Sequence, residues 1–527
     1  MNAAPGSMSP SALPAAEIAR WLSARLASQS RLQSDSRAVR VGDAFFAWPG
    51  QGSDGRAFID RARAQGAAAI VAEARGASLQ ADEDLQLVAG LREQAGEIAA
   101  HYYGQPCARL DLIAVTGTNG KTSCSHWIAQ GLARSGRRAA LIGTLGSGVL
   151  DPRGVAALHD FGLTMPDALT LQAMLAEFVA QDVHAVVMEA SSIGLHQHRL
   201  SGAQPAVAVF TNLSRDHLDY HGTEEAYAQA KLLLFKTPSL KTAVLNAQDP
   251  LSARALSVLP AGCRAIAYGH ARTAWSQHLE QLIASRIEQT PQGLLLDIEG
   301  DFGARRVKLS LLGHFNAVNA LAVAASWLAV GYSIDDVVEQ LSLLRPVAGR
   351  LERVSLEDKA DQVHGGPVSD QPEPNLVCAV VDYAHTPDAL AQALAALRPL
   401  ARARGGQLWC VFGAGGARDP GKRPLMGAVA SQAADRVILT NDNPRSEDPQ
   451  AILRAIASGL AASAHTIEPD RARAIARALS EAAPVDVVLI AGKGHERWQE
   501  FAHERLPFDD VAQARLALQR LAGARHA

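Results

Sequence analysis

The sequence predicts an α/β protein of three domains, with a central domain built on a parallel sheet and a C-terminal Rossmann-like α/β domain. The chain has 527 residues, which is too long for a single hydrophobic core. From Leu110 onward, short apolar runs alternate with helical patterns, as they do in a parallel sheet covered by helices. Several of these runs end in polar or glycine-rich residues, which is typical of the ligand-binding edge of such a sheet.

The composition excludes several classes of protein. The formal net charge is -3, so no strong basic field favours binding to nucleic acid. The five cysteines show neither C-x-x-C pairs nor a regular spacing, which indicates thiols in a reducing compartment. The N-terminus lacks a basic segment followed by an apolar one, and the most apolar run, 320–330, is too short to cross a bilayer. We therefore expect a soluble, cytoplasmic protein without nucleic-acid or membrane partners.

Residues 1–109 are predicted to form a small N-terminal α/β domain. An amphipathic helix near the start is followed by apolar runs at 44–47 and 68–71, which predict strands with a helix between them. Ser36 lies in a D-S-R turn and could hold a phosphorylated ligand there. A solvated turn explains the same residues at least as well.

The central domain, residues 110–345, begins with a strand, a glycine-flanked loop and a helix. The loop reads G-x-x-G-K-T from Gly117 to Thr122. Backbone N–H groups of such a loop surround a polyphosphate, Lys121 can reach the terminal phosphates, and the hydroxyl of Thr122 can bind Mg²⁺. The loop is shorter than the usual G-x-x-x-x-G-K-[ST], and the alternative is a Gly/Asn turn with a surface lysine. The strand and helix around it favour a phosphate loop, so this domain is predicted to be of the P-loop type.

Two later strands of the central domain bring polar residues to the same edge. Strand 185–188 runs directly into Glu189, a carboxylate that could bind a second Mg²⁺, with a solvated strand end as the alternative. Strand 206–210 is followed by two histidines and two aspartates, of which His217 could bind a cation or transfer protons.

Residues on two predicted helices of the same domain are less informative. Lys231 alone has the pattern of a surface lysine. Asn316 and Asn319 share one helix face, where they could cap the helix or bind an adenine edge, and their spacing does not decide between these roles.

The C-terminal domain, residues 346–527, is predicted to begin after Arg345-Pro346. The polar segment 361–375 is expected to be an exposed loop. Four predicted strands, 377–381, 408–412, 437–439 and 487–490, then each end in polar or glycine-rich residues, which indicates a second ligand site. Arg418, Arg445 and Glu496 in these loops could bind the carboxylate and the ammonium group of an amino acid.

A nucleotide site together with an amino-acid site favours ATP-driven joining of an amino acid to another molecule. The alternatives are a nucleotide-dependent switch, in which hydrolysis moves domains, and a kinase. Neither alternative explains a second site of four loops with amino-acid chemistry.

Four long motifs resemble those of the Mur ligases of peptidoglycan synthesis. They are TGTNGKT (116–122), MEASS (188–192), NLSRDHLDYH (212–221) and DYAHTPD (382–388). DNPR (442–445) and GKGHE (492–496) narrow the resemblance to the MurE type, and it extends from DSR (35–37) to FDD (508–510). The resemblance implies that ATP phosphorylates the terminal carboxylate of UDP-N-acetylmuramoyl-L-alanyl-D-glutamate. The amine of meso-diaminopimelate then attacks the acyl phosphate. It also implies an N-terminal domain for the uridine end, a central domain for ATP, a C-terminal domain for the amino acid, and a monomer.

The resemblance implies a role for each site residue. Catalytic roles fall on Lys121, Glu189, His217 and Lys231. The implied ATP contacts are Gly117, Thr118, Asn119, Gly120, Lys121, Thr122, Ser123, Asn316, Arg350 and Asp382. The implied Mg²⁺ ligands are Thr122, Glu189, His217 and Lys231, the last as a carbamylated lysine. The implied contacts to the UDP-substrate are Ser36, Thr164, Ser191, Gln197 and Arg199. The implied contacts to diaminopimelate are Arg418, Asp442, Asn443, Arg445, Gly492 and Glu496.

Specificity and three departures from the family pattern complete these expectations. Arg445 can form a bidentate pair with the distal carboxylate of meso-diaminopimelate, a group that L-lysine lacks. Met165 stands where the family usually has a second threonine, Ile193 replaces a histidine, and Ala417 replaces an aspartate. None of these changes removes the phosphate loop, the implied metal ligands or Arg445, so we expect an active enzyme.

Overall fold

The three sheets of the protein lie in successive parts of the chain. A computed structural model describes residues 14–50, 52–76, 79–155, 157–290, 292–356, 376–460, 465–502 and 504–526. The predicted loop at 361–375 lies outside the described residues, as does the N-terminal segment 1–13. Within the described residues, no helix combines the length and the apolar character needed to span a membrane.

The first sheet has four parallel strands in the order β1-β2-β3-β4. Its strands are β1 (Leu32–Gln33), β2 (Ala44–Ala47), β3 (Ala69–Glu73) and β4 (Leu85–Val88), and its helices are α1 (Ala15–Ser23), α2 (Ile59–Ala64) and α3 (Leu91–Tyr102). The strands β2 and β3 are completely buried, which explains why the runs at 44–47 and 68–71 are apolar throughout.

The central sheet has ten strands. They are β5 (Asp111–Thr116), β6 (Ala139–Gly143), β7 (Gly146–Val149), β8 (Ala185–Glu189), β9 (Pro205–Phe210), β10 (Thr242–Asn246), β11 (Arg264–Gly269), β12 (Glu280–Thr290), β13 (Gly293–Gly300) and β14 (Arg305–Leu309). Their order is β14-β13-β12-β11-β10-β9-β5-β8-β6-β7. The phosphate-loop strand β5 lies between β8 and β9, so the carboxyl ends of these three strands meet at one edge.

Helices cover both faces of this sheet. They are α4 (Lys121–Arg134), α5 (Ala168–Ala180), α6 (Ser192–His196), α7 (Leu218–His221), α8 (Glu224–Leu232), α9 (Leu251–Ser257), α10 (His314–Ala329) and α11 (Ile334–Ser342). The edges differ from the predicted alternation, because β12, β13 and β14 pair antiparallel and β7 pairs antiparallel with β6. Adjacent antiparallel strands need only short turns, and the described residues between these strands form no helix.

Two buried tryptophans hold the helix that follows the phosphate loop. Trp127 on α4 donates from Nε1 to the carbonyl of Arg345 at 2.8 Å, which ties this helix to the predicted domain boundary. Trp327 on α10 donates from Nε1 to the carbonyl of Ile128 at 3.1 Å. Both rings are at most 1% exposed, and truncating a buried tryptophan to alanine costs about 3–5 kcal/mol. The position of α4, and with it the phosphate loop, is therefore set by core packing.

The third sheet has six strands in the order β15-β16-β20-β17-β18-β19. They are β15 (Glu352–Arg353), β16 (Cys378–Asp382), β17 (Leu408–Phe412), β18 (Arg436–Leu439), β19 (His465–Ile467) and β20 (Val487–Ala491), and a separate hairpin consists of β21 (Trp498–Phe501) and β22 (Glu504–Pro507). The helices are α12 (Pro387–Arg404), α13 (Lys422–Ala433), α14 (Pro449–Ala457), α15 (Arg471–Glu481) and α16 (Asp510–His526). All four predicted strands are present and parallel to their neighbours in β16-β20-β17-β18, so their polar ends share one edge.

Candidate active site

A cavity of about 560 Å³ lies between the central and C-terminal domains. Its walls include the phosphate loop from one side and residues of the β16–α12 connection from the other. Of the predicted site residues, those that line it are Thr118, Asn119, Gly120, Lys121, Thr122, Ser123, Thr164, Glu189, Ser191, His217, Lys231, Arg350, Asp382 and Arg418. The cavity therefore gathers the predicted phosphate and metal groups from separate parts of the chain.

The phosphate loop ends where α4 begins, at Lys121. Gly120 precedes the helix with a φ of 85°, and a Cβ there would lie 2.5 Å from Asn319 Oδ1, so this position requires glycine. The Nζ of Lys121 donates to the carbonyls of Gly117 at 3.0 Å and Thr118 at 2.9 Å. Burial lowers the pKa of Lys121, although Glu189 partly opposes this. The lysine charge and the free N–H groups at the helix start form a site for an anion.

Glu189 at the end of β8 is completely buried. Its carboxylate accepts hydrogen bonds from the hydroxyl of Thr122 at 3.1 Å and from the backbone N–H of Thr144 at 2.7 Å. The hydroxyl of Thr144 also donates to it, at 3.1 Å. A carboxylate and a threonine hydroxyl in contact beside a phosphate loop are oxygen ligands of the kind that Mg²⁺ prefers.

Lys231 on α8 is buried, which the helical pattern alone did not indicate. Its Nζ donates to the carbonyl of Gly117 at 2.7 Å and lies 4.2 Å from the centre of the Tyr227 ring. Burial, reinforced by the charge of Lys121, lowers the pKa of Lys231 well below its usual value. A larger fraction of this amine is therefore neutral and nucleophilic than for an exposed lysine.

His217 lies directly before α7, with a φ of 52°. Its Nε2 is 3.5 Å from Oδ2 of Asp216, and burial lowers the pKa of the imidazole. Burial raises the pKa of Asp216, but His385, His217 and Lys422 outweigh it and hold that pKa at about 2. Asp216 and His385 line the cavity, although the sequence analysis assigned them no role. Within the part of the chain that the structure describes, no three His, Cys, Asp or Glu side chains form a metal site.

The predicted ATP contacts outside the loop lie in different surroundings. Arg350 donates from Nη2 to the hydroxyl of Thr122 at 3.3 Å and stacks on Tyr383, 4.4 Å from the ring centre. Asp382 accepts from the backbone N–H of Leu351 at 2.7 Å, and burial raises its pKa. Asn316 donates to the carbonyl of Leu312 at 2.8 Å and does not line the cavity, whereas Asn319 does. The cavity therefore contains Asn319 and not Asn316, the residue for which an ATP contact was predicted.

Of the predicted UDP-substrate contacts, some line the cavity and others lie outside it. Thr164 and Ser191 line the cavity, and Ser191 also caps α6 by accepting from the backbone N–H of Gly194 at 3.1 Å. Gln197 and Arg199 hydrogen bond to each other at 2.8 Å and lie outside the cavity wall. Ser36 is buried in the N-terminal domain, also outside the cavity.

The predicted amino-acid contacts are joined in a separate network. Asn443 donates to Glu496 at 2.8 Å and accepts from Lys493, whose Nζ is also 3.0 Å from Glu496. Gly492 has a φ of 118°, and a Cβ there would lie 2.4 Å from Oδ2 of the buried Asp442. Lys493 is completely buried, a position that the GKGHE motif contains but whose role the sequence analysis missed.

Two arginines complete this edge of the C-terminal domain. Arg418 is half-exposed and lies 3.5 Å from Asp219 of the central domain. Arg445 donates from Nε to Glu500 at 3.0 Å and from Nη1 to the carbonyl of Gly416 at 2.8 Å. Glu500 lies between the GKGHE and FDD motifs and belongs to neither, so no sequence signal pointed to it.

Two of the three departures from the family pattern have a structural context. Met165 is completely buried and packs beside Gly194, so its side chain is part of the core, and its carbonyl accepts from Arg199 at 2.6 Å. Ala417 has a φ of 52°, a conformation that aspartate tolerates better than alanine. Nothing in the structure explains Ile193.

The fold and the cavity together define a three-domain α/β enzyme with a phosphate loop facing a second ligand-binding domain. Three family models match the chain: "Mur ligase family, catalytic domain" over residues 30–103, "Mur ligase middle domain" over 115–327, and "Mur ligase, glutamate ligase domain" over 369–494. The chain belongs to the Mur ligase family.

Similar proteins cover nearly the whole chain. A protein of Ralstonia nicotianae is 45% identical over 98% of this chain and 99% of its own length, and one of Acidovorax sp. is 44% identical over 96% and 97%. Both are named UDP-N-acetylmuramoyl-L-alanyl-D-glutamate–2,6-diaminopimelate ligase. A solved structure with the same name matches with a TM-score of 0.63 at 35% identity, covering 94% of this chain and 95% of that one. The MurF ligase of Thermotoga maritima in complex with ADP has a TM-score of 0.60 at 19% identity over 94% and 98%, and it shares the fold.

Proposed function

We propose that this protein is an ATP-dependent, ADP-forming ligase that adds meso-diaminopimelate to UDP-N-acetylmuramoyl-L-alanyl-D-glutamate in peptidoglycan precursor synthesis. The observation that carries this conclusion is the identity of over 40% to ligases of that name along nearly the entire chain. The cavity between the central and C-terminal domains provides the place for the reaction. Action as a monomer in the cytoplasm is part of the proposal.

The reaction requires a carboxylate to become an electrophile. Transfer of the γ-phosphoryl group of ATP to the terminal carboxylate forms an acyl phosphate, because phosphate is a much better leaving group than oxide. The amine of diaminopimelate attacks the carbonyl carbon of the acyl phosphate, and the tetrahedral intermediate loses phosphate. Lys121 and the N–H groups at the start of α4 hold the phosphates, and Arg350, whose Nη2 donates to the hydroxyl of Thr122, adds a second cation beside them.

The residues present fit Mg²⁺. Thr122 and Glu189 are oxygen ligands in contact with each other beside the phosphate loop, and Mg²⁺ is commonly held by one or two carboxylates together with phosphate oxygens. His217 and Lys231 line the same cavity and complete the proposed ligand set. When bound, the ion neutralises charge between the two anionic substrates.

Carbamylation of Lys231 is proposed as the means by which this residue binds a cation. The neutral amine adds to carbon dioxide, forms a carbamate anion and releases a proton. The burial of Lys231 and its lowered pKa support this chemistry, because they favour the neutral amine. The anion would also offset the charge of the nearby Lys121.

Closure of the C-terminal domain over the central domain is proposed to exclude water from the acyl phosphate. Three contacts across the cleft support a closed arrangement. They are Asn119 to Asp388 at 3.1 Å, Arg215 to Asp419 at 3.2 Å, and Arg418 to Asp219 at 3.5 Å. Scattering curves that are identical with and without ATP analogue and substrate would count against this motion.

The first experiment measures phosphate release with ATP, Mg²⁺ and the UDP-muramoyl dipeptide, adding meso-diaminopimelate or L-lysine in parallel. We expect release only with diaminopimelate, and a product heavier by one diaminopimelate residue. Phosphate release with lysine would support a ligase but contradict the proposed specificity for diaminopimelate. ATP hydrolysis that is indifferent to both amino acids would favour a nucleotide-dependent switch.

Arg445→Ala tests the amino-acid specificity. Charge-assisted hydrogen bonds contribute about 1.5–3 kcal/mol, so kcat/KM for diaminopimelate should fall about 10–150-fold. The KM for ATP should change less than twofold. Arg454→Ala, which removes an exposed arginine of α14 paired with Asp448 at the N-terminus of the same helix, is the matched control. Equal losses for both substrates would contradict the assignment of Arg445.

A further inference from the structure

A carboxylate outside the motifs contacts the arginine proposed to bind diaminopimelate. Glu500 lies on β21, and its Oε2 accepts from Nε of Arg445 at 3.0 Å. Both side chains are partly buried, with 28% of the arginine and 38% of the glutamate exposed. Ion pairs at this exposure contribute little to stability, so the contact is better explained by what it does to the guanidinium.

The backbone of the same hairpin holds the DNPR loop. The N–H of Arg445 donates to the carbonyl of Glu500 at 2.9 Å, and the N–H of Ala502 donates to the carbonyl of Arg445. Arg445 has a φ of 53°, a conformation that these two bonds maintain. The N–H of Glu500 also donates to Oδ1 of Asn443 at 3.1 Å. The hairpin therefore orients the side chains of Asn443 and Arg445.

These contacts leave one part of the guanidinium available. An arginine has five N–H donors in a rigid plane. Within the described residues, the hydrogen bonds to Arg445 use Nε and Nη1, and none uses Nη2. With Nε and Nη1 held by Glu500 and Gly416, the plane of the guanidinium is determined, and the Nη2 donors are free for a ligand.

We infer that Glu500 is a positioning residue for amino-acid specificity: it orients Arg445 so that the free Nη2 donors meet the distal carboxylate of the incoming diamino acid. This inference rests on the proposed function. A guanidinium held in place before binding loses less conformational freedom when the carboxylate arrives. The opposite role is competition, in which Glu500 occupies Arg445 at the expense of the substrate carboxylate. The two roles predict opposite changes in KM.

The experiment compares Glu500→Ala and Glu500→Gln with the wild type in the full-length protein. Phosphate release is measured against meso-diaminopimelate, ATP and L-lysine in separate titrations. For Glu500→Ala we expect the KM for diaminopimelate to rise about tenfold, while the KM for ATP changes less than twofold. Glu500→Gln retains an oxygen that can accept from Nε, so its rise should be about threefold or less. Lysine, which lacks the distal carboxylate, should be used as poorly by the variants as by the wild type.

Glu504→Ala is the matched control, because Glu504 is an exposed carboxylate on the other strand of the same hairpin. It should behave as the wild type does. An unchanged or lowered KM for diaminopimelate in Glu500→Ala would overturn the inference, the lowered value indicating competition. Equal losses for ATP and diaminopimelate, or no rescue by glutamine, would also overturn it in favour of a structural role. If the wild type itself releases no phosphate in response to diaminopimelate, the proposed function has failed instead.

Discussion

The phosphate-loop site and the proposed amino-acid site differ in the partners of their buried charged groups. In the central domain, Lys231 is 1% exposed, and its Nζ bonds to a neutral carbonyl of the loop. In the C-terminal domain, Lys493 is 0% exposed, and its Nζ bonds to the carboxylate of Glu496. Arg471 and Asp510, also completely buried, form an ion pair of 2.7 Å.

This difference fits the ligands proposed for the two sites. Loss of hydration lowers the pKa of Lys121 and Lys231, and the nearby carboxylates, none of which forms an ion pair with either lysine among the described residues, offset this only in part. Anionic phosphates can supply the missing charge. In the C-terminal domain the protein supplies its own counter-charges, so these groups are held in one geometry before an amino acid binds. The first site is thus suited to the proposed binding of phosphates, and the second to the proposed selection of one amino acid.

The largest expected effect concerns the buried ion pair between Arg471 and Asp510 in the C-terminal domain. Arg471→Met leaves the charge of Asp510 buried without a partner, which costs about 3–5 kcal/mol of unfolding free energy. Urea unfolding of the C-terminal domain measures it. Arg477→Met, which breaks an exposed pair with Glu481, should cost no more than about 1 kcal/mol. Similar losses in both variants would show that internal pairing is not what distinguishes this domain.

In the central domain, replacing a lysine of the phosphate site should lower the activity without lowering the stability. Lys121→Met removes a partly buried cation that stabilises developing charge, so kcat should fall about 10²–10³-fold. Because the charge is desolvated in the folded protein, the midpoint of urea unfolding should stay the same or rise. Phosphate release measures the change in kcat, and urea unfolding measures the change in stability. A clear fall in stability would mean that the lysine charge is already compensated.

A smaller effect concerns pH. His126 on α4 has a buried Nε2 without a hydrogen-bond partner among the described residues, and burial lowers its pKa to about 3. Because the unfolded chain protonates this histidine near pH 6.5 and the folded chain does not, stability should fall as pH drops from about 6.5 towards 3. His126→Leu should remove up to about 1.4 kcal/mol per pH unit of that slope. Urea midpoints between pH 4 and 6 measure it.

Gln130→Leu on the same helix is the control for the pH prediction, because it changes no titrating group. It should retain the slope of the wild type. A His126→Leu variant with the same slope as Gln130→Leu would show that His126 is not held neutral in the folded protein.

The smallest expected effect is at Ala417. The left-handed conformation costs a residue with a Cβ about 1–2 kcal/mol, and glycine loses about 0.5–1 kcal/mol through its greater freedom when unfolded. Ala417→Gly should therefore stabilise the C-terminal domain by about 0.5–1 kcal/mol, measured by urea unfolding. Ala414→Gly, in the same loop at a position without a positive φ, should destabilise instead.

The phosphate loop could be predicted because its residues are contiguous. Gly117 to Thr122 lie between one strand and one helix, so local spacing alone indicates where the backbone N–H groups and the lysine lie. Glu189 and His217 could be proposed for the same reason, since each follows a strand whose carboxyl end faces the same edge. The family resemblance, which depends on long ordered motifs, was confirmed by the matches to Mur ligases.

The amino-acid sequence by itself determined the fold class, the phosphate loop and the family, because strand patterns and motifs are properties of neighbouring residues. Only the tertiary structure decided that Lys231 is buried against the carbonyl of Gly117, 114 positions away. It also decided which of Asn316 and Asn319 lines the cavity, and that Glu500 holds Arg445. The physical reason is that burial and pKa depend on which distant segments pack together, and the spacing within one segment contains no information about its partners in space.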